Sequence, residues 1–568
     1  MTWRRGIIYT ALFVGLSITG FVGYVGYRVI NFQLASGVSG PFLAARQASA
    51  EKDMSSASHY FALALALSPQ DDRIRREAFG AYLANGDIER AVSLADAFQS
   101  DHLMRQQSSI VLLIDALKRR NFKKASSLLE GFSSGPESKL LVPVVKAWID
   151  YAENGRVEEV YLSDLLDAGP LLPVTTQQAA ILYELMGNIE AADAAYARGI
   201  KAGGMQLVGF AVGFGQYLER QNNLERAKQL YDVASQFFGD APDFIVSHQR
   251  YQEKAPAPAL SSDLRVHIAS AFLSFVETMR MDGHASFTRP YVQLAIHLDD
   301  TPRGLLLLGD LTSDEEAWWE AARHYSKVSG NDIYLREAKI RRAQMYERAG
   351  AIDDAQALFV ALVEQYNDDQ ATKVAIADFY RRTERFLEAE AFYIEVLDAL
   401  SADDEAFWGI HFSLGICRER LGKWAEAEKN LLHAKQLSND EPLVLNYLGY
   451  SWIDKGMRLE EARDLVEMAV RKDPTNGFYL DSLGWAYYKL GEYEPALGFI
   501  ERATLLEPTD PTITDHLGDI LWRLGRKTEA RYQWQKVLGF NPSELDYNKI
   551  QGKLLNGLPP IGQGGRSI

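Results

Sequence analysis

The residue types that most often perform catalysis or bind metals are few in this chain and unfavourably spaced. The ten histidines are scattered, and no pair forms the His-Glu-x-x-His pattern that places two imidazoles and a general base on one helix face. The one cysteine, Cys417, lies in a predicted helix, where we expect a buried filler and not a nucleophile. We therefore predict no catalytic residues and no metal site.

Two Gly-Lys pairs and one glycine-rich run come nearest to a phosphate-binding loop. Trp424 follows Gly422–Lys423 and Leu554 follows Gly552–Lys553, although such a loop needs Ser or Thr there to bind magnesium. The run Gly203–Leu218 lies in a predicted first helix of a repeat, where small residues allow close helix packing. No nucleotide or other cofactor is therefore predicted.

Composition limits both the class of protein and the class of partner. The 568 residues are 47% hydrophobic and 24% charged, which excludes a wholly disordered or collagen-like chain. A single cysteine excludes an internal disulfide. The formal net charge of −16 argues against a nucleic-acid-binding surface, because phosphate contacts need clustered Lys and Arg. Proteins are the expected partners.

Residues near the amino terminus predict a membrane anchor. After a short segment, residues 1–5, the 22 residues Gly6–Tyr27 carry no charged side chain. As a helix they would span about 33 Å, enough for a hydrocarbon core of about 30 Å. We predict one transmembrane helix over residues 6–28. A cleaved secretory signal is the alternative, but its apolar stretch is usually only about 7 to 15 residues long.

Flanking charges and small residues refine this prediction. Arg4 and Arg5 precede the span, which favours an amino terminus inside and the rest of the chain outside. We expect a single-pass bacterial inner-membrane protein whose remaining residues face the periplasm. Small residues at four-residue spacing offer a face for a second copy of the helix, and hence for a homodimer: Ala11, Gly15, Thr19 and Gly23.

A 34-residue period organises the rest of the chain. Near the carboxyl end, equivalent residues recur 34 positions apart, namely Gly484 and Gly518, Ala496 and Ala530, and Pro474, Pro508 and Pro542. Between Leu480 and Pro508, two amphipathic helical runs are separated by a break at Leu490–Gly491 and closed by the proline. The period therefore predicts antiparallel helical hairpins.

This unit resembles the tetratricopeptide repeat. The pattern of that family is met by Leu480, Leu483, Gly484, Tyr487, Ala496, Ile500, Ala503 and Pro508. Its small position on the second helix recurs at Ala57, Ala91, Ala125, Val160, Ala192, Ala227, Thr288, Ala321, Ala355, Ala389, Ala427, Ala462, Ala496 and Ala530. The resemblance implies an all-α fold, a right-handed α-solenoid of about fourteen helical hairpins.

Departures from the period set the expected boundaries. The long step from Ala227 to Thr288 contains a Pro-rich segment, where we expect the array to be interrupted. The last residues lack an apolar face, which favours a disordered tail. The predicted parts are an N-terminal array at 40–254, a Pro-rich linker or hinge at 255–262, a C-terminal array at 263–550 and a tail at 551–568.

The family resemblance also implies where partners bind, because particular positions of the first helix face inwards. The candidate groove residues are Asn446, Tyr450, Asp481, Trp485, Tyr488, Asp515, Asp519 and Trp522. The aromatic side chains give contact area at little entropic cost, and Asn446 can hydrogen-bond a peptide backbone. The carboxylates favour basic or apolar partner segments. The alternative is that the aromatic side chains pack between adjacent first helices.

These features favour a non-enzymatic, membrane-anchored scaffold that assembles a bacterial envelope or membrane complex. A cytoplasm-facing adaptor and a relative of mitochondrial import receptors are alternatives, although the inward positions lack the basic clamp that binds a terminal carboxylate. An alternative of another class is a repeat-bearing transferase. Its catalytic module would have to be a compact, non-helical one within Gly239–Asp300.

Overall fold

Every regular element in the described part of the chain is helical. The computed structural model describes residues 37–101, 104–132, 136–281, 288–399, 407–540 and 544–559. Within these ranges there are thirty α-helices, three short 3-10 helices and no strand. The prediction of an all-α fold is confirmed.

The α-helices are numbered in chain order. In the first part of the chain they are α1 (Ser39–Ala50), α2 (Met54–Leu67), α3 (Asp72–Asn85), α4 (Ile88–Ala95), α5 (Arg105–Lys118), α6 (Phe122–Leu129), α7 (Pro136–Asn154), α8 (Glu159–Leu165), α9 (Leu172–Leu185), α10 (Ile189–Lys201), α11 (Val208–Arg220), α12 (Leu224–Phe238), α13 (Pro242–Gln252), α14 (Leu264–Met281) and α15 (Arg289–Leu298). They continue as α16 (Pro302–Asp314), α17 (Trp318–Tyr325), α18 (Asp332–Arg348), α19 (Ile352–Gln365), α20 (Gln370–Arg382), α21 (Phe386–Ala399), α22 (Trp408–Arg420), α23 (Trp424–Leu437), α24 (Pro442–Asp454), α25 (Leu459–Lys472), α26 (Gly477–Leu490), α27 (Tyr493–Leu506), α28 (Pro511–Arg523), α29 (Lys527–Leu538) and α30 (Glu544–Asn556). The 3-10 helices are Asp96–Phe98, Gly169–Leu171 and Gly204–Gln206.

Consecutive helices pack as hairpins. Six packed pairs, α1–α2 to α11–α12, precede the single helix α13. Seven more packed pairs, α14–α15, α16–α17 and α20–α21 to α28–α29, precede the single helix α30. Helices α18 and α19 follow one another between them, so the described helices have the order of the fourteen pairs that the period predicts, and thirteen of these pairs pack as hairpins. The right-handed sense of the superhelix stays a prediction.

Small residues explain how closely the two helices of a hairpin approach. Twelve of the fourteen predicted small positions are alanines, and each of these alanines is fully buried. Gly484 lies opposite such a position, and a Cβ there would lie only 2.6 Å from Cγ1 of Ile500. The two departures differ in structure as well: Val160 is 55% exposed on the short helix α8, and Thr288 precedes α15.

Glycines in the left-handed backbone region end many of the first helices. Gly86 and Gly491 have φ values of +82° and +86°, and each directly follows a first helix. Glycine reaches this conformation without the steric cost that a Cβ adds, and the amide groups that follow can then cap the last carbonyls. Positive φ is also found at Gly155, Gly187, Gly350, Gly422 and Gly525. Gly283, at an equivalent position, lies outside the described residues.

The chain divides into two compact units, and the division is not at the predicted linker. The first unit runs to Leu358 and the second begins at Phe359. Residues 255–263 do lack helical structure, but they lie inside the first unit. The predicted division into two arrays at 255–262 stays a prediction, and the chain after this segment returns to the helices before it.

Contacts between distant parts of the sequence show this return. The ring of Trp148 on α7 stacks on His267 of α14, with centroids 4.3 Å apart and planes 5° apart. On α15, Arg289 Nε and Gln293 Nε2 donate to the carbonyl oxygen of Ala84 at 2.8 and 3.2 Å. The Pro-rich segment is thus a connection within one packed unit.

The carboxyl end is ordered further than the composition predicts. Helix α30 continues to Asn556, although the predicted tail begins at residue 551. The helix persists because Ile550 and Lys553 are buried against the last hairpin. Residues 560–568 of the predicted tail lie outside the described residues.

Among the described residues, none of the helices has both the length and the apolar character that crossing a bilayer requires. The predicted transmembrane helix at 6–28 lies outside the described residues. The proposed dimer face, which consists of Ala11, Gly15, Thr19 and Gly23, lies outside them as well.

Candidate functional site

The predicted groove residues lie on α24, α26 and α28, the first helices of three successive hairpins in the second unit. The start of α26 is fixed by Asn476, whose Oδ1 accepts from the backbone N–H groups of Phe478 and Tyr479 at 3.1 and 3.2 Å. Asp510 caps α28 by accepting from the N–H of Ile513 at 2.8 Å. Each cap satisfies amide groups that have no partner within the helix and so fixes where the helix starts. We call the surface of predicted inward positions on these helices the inner face.

Three aromatic rings form a stack on the inner face. The Trp485 ring lies between the rings of Tyr488 and of His516 on the next first helix. The ring centroids are 4.4 Å apart for Tyr488 and 3.8 Å apart for His516, and the angles between the ring planes are 6° and 12°. Lys489 Nζ lies 5.4 Å from the Trp485 ring centre. Both faces of the Trp485 ring are therefore covered, and the edge of the half-buried ring is what remains for a partner. The packing alternative holds for Trp485, since it bridges adjacent first helices.

The three carboxylates of the predicted groove have partners within the chain. Asp481 Oδ1 lies 2.8 Å from Nδ1 of His516. Lys553 on α30 donates from Nζ to Oδ1 of both Asp515 and Asp519, at 2.6 Å each. All five side chains are buried. The expectation that these carboxylates attract a basic partner loses its basis, because their charge is compensated internally.

Burial has a further effect on Asp519. It raises the pKa of the Asp519 carboxyl, and the nearby Lys553 ammonium opposes that rise. Nε1 of Trp534 donates to the same Oδ1 at 3.1 Å. Because a buried charge is stable only when it is paired and hydrogen-bonded, this cluster holds α30 on the last hairpin.

A sequence signal for such clusters exists, although it was missed. In three hairpins the first helix contains a small residue followed directly by an aspartate. An aromatic residue of the second helix lies 16 positions after the small residue, and its side chain donates a hydrogen bond to the aspartate. The aromatic-to-aspartate pairs are Tyr325 to Asp310 at 2.7 Å, Tyr393 to Asp378 at 2.5 Å and Trp534 to Asp519 at 3.1 Å. The small residues are Gly309, Ala377 and Gly518. The spacing identifies structural aspartates, which are not available to a partner.

The remaining predicted residues are more accessible. Tyr450 and Asn446 are both half-buried on α24. Burial, with the carboxylates of Asp481 and Asp454 nearby, raises the pKa of Tyr450 to about 12, so its hydroxyl stays protonated. Oδ1 of Asn446 is buried and has no hydrogen-bond partner among the described residues. Such an acceptor is costly unless it is satisfied, and a backbone N–H of a bound segment can satisfy it once the side chain turns towards the surface.

Exposed apolar side chains complete the inner face. Leu443 on α24 is 45% exposed and Phe478 on α26 is 51% exposed. Both occupy the second position of their first helix, which the family pattern directs inwards. Trp522 on α28 is half-buried, and its ring centre lies 5.4 Å from that of Trp534. Leu443 and Phe478 thus give the inner face accessible apolar area beside the exposed charges of Asp454 and Lys489.

The corresponding surface of the first unit is covered by its own chain. Lys118 Nζ on α5 lies 3.3 Å from Nδ1 of His297 on α15. A Cβ at Gly209 on α11 would lie 2.7 Å from Nη1 of Arg303 on α16. Together with the Trp148 stack and the Ala84 hydrogen bonds, these contacts place later helices against the first helices of four earlier hairpins.

The residues considered for other chemistry have structural roles. Cys417 is fully buried, and burial raises the pKa of its thiol to about 12, which makes it inert as a nucleophile. Lys423 pairs with Glu390 at 2.6 Å, as Lys553 does with Asp515 and Asp519. In the described part of the chain no group of three or more His, Cys, Asp or Glu is arranged to hold a metal ion.

Two further regions bear on the nucleotide loop and the transferase module that the sequence analysis considered. A Cβ at Gly215 would lie 2.6 Å from Cζ of Tyr231, so close packing explains this part of the run Gly203–Leu218. Between Gly239 and Asp300 the described residues form α13, the extended segment, α14 and α15. The described part of this interval therefore lacks the compact, non-helical module that the transferase alternative requires.

Comparisons with known proteins identify the repeat. Residues 482–544, which include the aromatic stack and the Asp515–Asp519 pair, match the family model of the tetratricopeptide repeat. The chain is 26% identical over 213 residues to the TPR repeat-containing protein PA4667 of Pseudomonas aeruginosa, a match covering 37% of this chain and 35% of that protein. Residues 482–544 thus match the tetratricopeptide repeat, and a longer stretch of the chain is similar to a protein that carries such repeats.

Other similarities are more distant. The chain is 22% identical over 287 residues to the Protein CTR9 homolog of Arabidopsis thaliana, covering 42% of this chain and 26% of that protein. Among solved structures, it is similar to a chain of the APC/C hetero-tetramer Cut9-Hcn1, with 15% identity, 91% of this chain and 95% of that chain covered, and a TM-score of 0.37. The matches to these curated relatives span about a third or less of the relatives' own length.

Proposed function

We propose that this chain is a membrane-anchored scaffold whose second unit binds a protein segment on its inner face. The observation that carries the proposal is the difference in how the first helices of the two units are covered. In the first unit α14 and α15 lie against them, whereas in the second unit Leu443 and Phe478 remain about half exposed. Large exposed apolar side chains on a rigid surface are typical of protein-binding sites. Tetratricopeptide-repeat proteins generally bind protein partners.

The chemistry of the inner face favours an apolar, extended partner segment. The buried carboxylates are already compensated, so they add little attraction for a basic segment. Leu443 and Phe478 offer apolar area, and the half-buried Asn446 has an unsatisfied Oδ1 that can accept from a backbone N–H after its side chain rotates outwards. An extended segment carries such donors at regular spacing, which a folded helix does not.

The anchor at residues 6–28 would hold the scaffold at a membrane. Its support is the uncharged run of 22 residues and the two preceding arginines. Tethering raises the effective concentration of the inner face near other membrane proteins, which suits the assembly of a bacterial envelope complex. The similar Pseudomonas aeruginosa protein is bacterial, and the proposed placement in an inner membrane with the repeats in the periplasm rests on the amino-terminal sequence alone.

Partner capture tests the inner face. The tagged full chain is purified from its native membranes, and co-purifying proteins are quantified by mass spectrometry. Combined substitution of Leu443→Ala and Phe478→Ala should lower the yield of specific partners about tenfold, which corresponds to about 1.4 kcal/mol. Both side chains are exposed, so the helical circular dichroism spectrum should not change.

The control is an exposed aromatic residue on a second helix. Tyr532 on α29 is 69% exposed, and Tyr532→Ala removes similar apolar area away from the inner face. Its partner yield should match that of the unaltered chain. An equal loss in both variants, or no loss in either, would contradict binding at the inner face.

Fractionation and reporter fusions test the anchor. The full chain should remain in the membrane fraction after carbonate extraction, and a variant without residues 6–28 should leave it. A phosphatase fused after Ile568 should be active if the repeat domain is periplasmic. A fluorescent reporter that matures only in the cytoplasm should be dark in the same position. The opposite pair of results would favour the cytoplasm-facing adaptor.

A further inference from the structure

The chain leaves α30 at Gly557 and runs onto the inner face. Gly557 has a φ of +71°, and its N–H donates to the carbonyl oxygen of Lys553 at 2.8 Å, which ends the helix. The next residues, Leu558 and Pro559, lack helical structure. We call residues 557–559 the terminal strip.

The terminal strip contacts Trp522, a predicted groove residue of α28, and the neighbouring Arg523. A Cβ at Gly557 would overlap the six-membered ring of Trp522, so the ring lies directly against the glycine backbone. Nη1 of Arg523 donates to the carbonyl oxygen of Pro559 at 2.7 Å. Leu558 packs against the core of the last hairpin. Each residue of the strip therefore makes a separate contact.

These contacts are of the kind that a bound peptide makes. An aromatic ring lies against the backbone, an arginine binds a main-chain carbonyl, and an apolar side chain packs on the hydrophobic core. Arg523 Nε also donates to the hydroxyl of Tyr488 at 3.3 Å, which links this end to the aromatic stack. Residues 556–560 read Asn-Gly-Leu-Pro-Pro and contain no charged side chain.

We infer that Trp522 and Arg523 form a subsite for an extended, uncharged segment of the type Gly-apolar-Pro, and that the terminal strip occupies it as a built-in ligand. The subsite excludes a side chain at the glycine, because the Trp522 ring fills that space. One consequence rests on the proposed function: a partner segment that reaches this end of the inner face must displace the strip.

The direct test uses the strip as a synthetic peptide. The full chain is compared with a variant that ends at Asn556, which keeps α30 and Lys553. The probe is the pentapeptide Asn-Gly-Leu-Pro-Pro at concentrations up to a few millimolar. Saturation-transfer NMR detects weak binding of a small peptide to a large protein. We expect the shortened chain to bind the peptide at least fivefold more tightly than the full chain.

Three controls make the test specific. Trp522→Ala in the shortened chain should abolish the saturation transfer, and Arg523→Ala should weaken it severalfold. The peptide Asn-Ala-Leu-Pro-Pro should bind at least fivefold more weakly than the glycine peptide. The inference is overturned if the shortened and full chains give equal signals, if neither gives a signal, or if Trp522→Ala has no effect.

A substitution in the full chain tests displacement of the strip. Gly557→Ala places a methyl group against Trp522 and should increase peptide binding to the level of the shortened chain. Gly491→Ala is the matched control, because Gly491 also ends a helix with positive φ but has open space around it. It should leave peptide binding unchanged.

Partner capture separates failure of this inference from failure of the proposed function. If Leu443→Ala and Phe478→Ala reduce capture but Gly557→Ala and the shortened chain capture no more partner than the full chain, the displacement consequence is wrong and the proposed function stands. If the peptide results are as expected but the capture is insensitive to Leu443 and Phe478, the proposed function is wrong and the subsite stands.

Discussion

The two units use the same hairpin in different ways. In the first unit, helices that follow the Pro-rich segment turn back onto the first helices of earlier hairpins, as the Trp148–His267 stack shows. In the second unit, α24 and α26 keep Leu443 and Phe478 about half exposed. The comparison teaches that the repeat fixes the hairpin, while the segments between and after the repeats decide whether an inner face is filled or available.

In each unit a buried ion cluster holds one helix against earlier helices: α15 in the first unit and α30 in the second. In the first unit Arg289 is 4% exposed and pairs with Glu315 at 3.2 Å and with Glu320, in addition to the carbonyl of Ala84. In the second unit Lys553 pairs with Asp515 and Asp519. The first cluster joins residues 205 positions apart, whereas the second joins adjacent repeats. The first cluster should therefore matter more for global stability.

Removing Arg289 should have the largest effect. Arg289→Met leaves Glu320 buried without its cation and should destabilise the first unit by about 3–5 kcal/mol. When hydrogen exchange is used to monitor unfolding in urea, the backbone amides of α15 should lose protection from exchange while those of α24 keep theirs. The control Arg73→Met removes a mostly exposed ion pair and should cost less than about 1 kcal/mol. Equal effects of the two variants would contradict a stabilising role for the buried Arg289 ion cluster.

Removing Lys553 should have an intermediate effect on the second unit. Lys553→Met abolishes two charge-assisted hydrogen bonds and should cost about 1.5–3 kcal/mol at pH 7. Asp519 then lacks its cation, so the cost should shrink as the pH falls and the carboxyl takes up a proton. Urea midpoints at pH 7 and pH 5 measure this. A cost that does not change with pH would argue against the carboxylate as its source.

Adding one methyl group within a hairpin should have a smaller effect. Gly518→Ala places a Cβ against the indole of Trp534 and should destabilise the second unit by about 1 kcal/mol, since overpacking outweighs the better helix propensity of alanine. Gly498→Ala, on α27, adds the same methyl group in open space and should stabilise by about 0.5–1 kcal/mol. The urea unfolding midpoints of the two variants should move in opposite directions from that of the unaltered chain. Shifts of the same sign would contradict the close-packing account.

Mild acid should have the smallest effect and should distinguish the units. Burial lowers the pKa of His267 and of His297, so both imidazoles bind a proton less strongly in the folded first unit than in the unfolded chain. In the unfolded chain they take up protons below about pH 6.5, so their contribution is present above that pH and is lost as the pH falls. We expect the urea unfolding transition of the first unit to move to lower urea concentration when the pH is lowered from 7.5 to 5.5.

The second unit should respond differently over the same range. Burial raises the pKa of Asp519, so the folded state holds that proton more strongly than the unfolded state does. Its contribution is present at low pH and is lost as the pH rises through the raised pKa. On acidification, the urea unfolding transition of the second unit should therefore move less than that of the first unit, or in the opposite direction. Parallel shifts of both transitions would contradict this assignment.

The hairpins and their number could be predicted because the evidence for them is local. A buried alanine such as Ala496, a close approach at Gly484 and a helix end at Gly491 lie within one repeat. The chemical types on the inner face could be listed in the same way. Their availability could not, because the partner of Asp515 lies on α30, a helix beyond the last recognised repeat.

The sequence by itself determined the helical hairpins, their number and the absence of a recognised catalytic or metal-binding motif. Each of those features follows from residues that are close in the chain and recur at a fixed period. The tertiary structure alone decided that the Pro-rich segment connects parts of one unit, that the groove carboxylates are paired and that residues 557–559 lie on Trp522. Those outcomes depend on contacts between residues far apart in the chain, whose relative positions are set only when the packed helices bring them together.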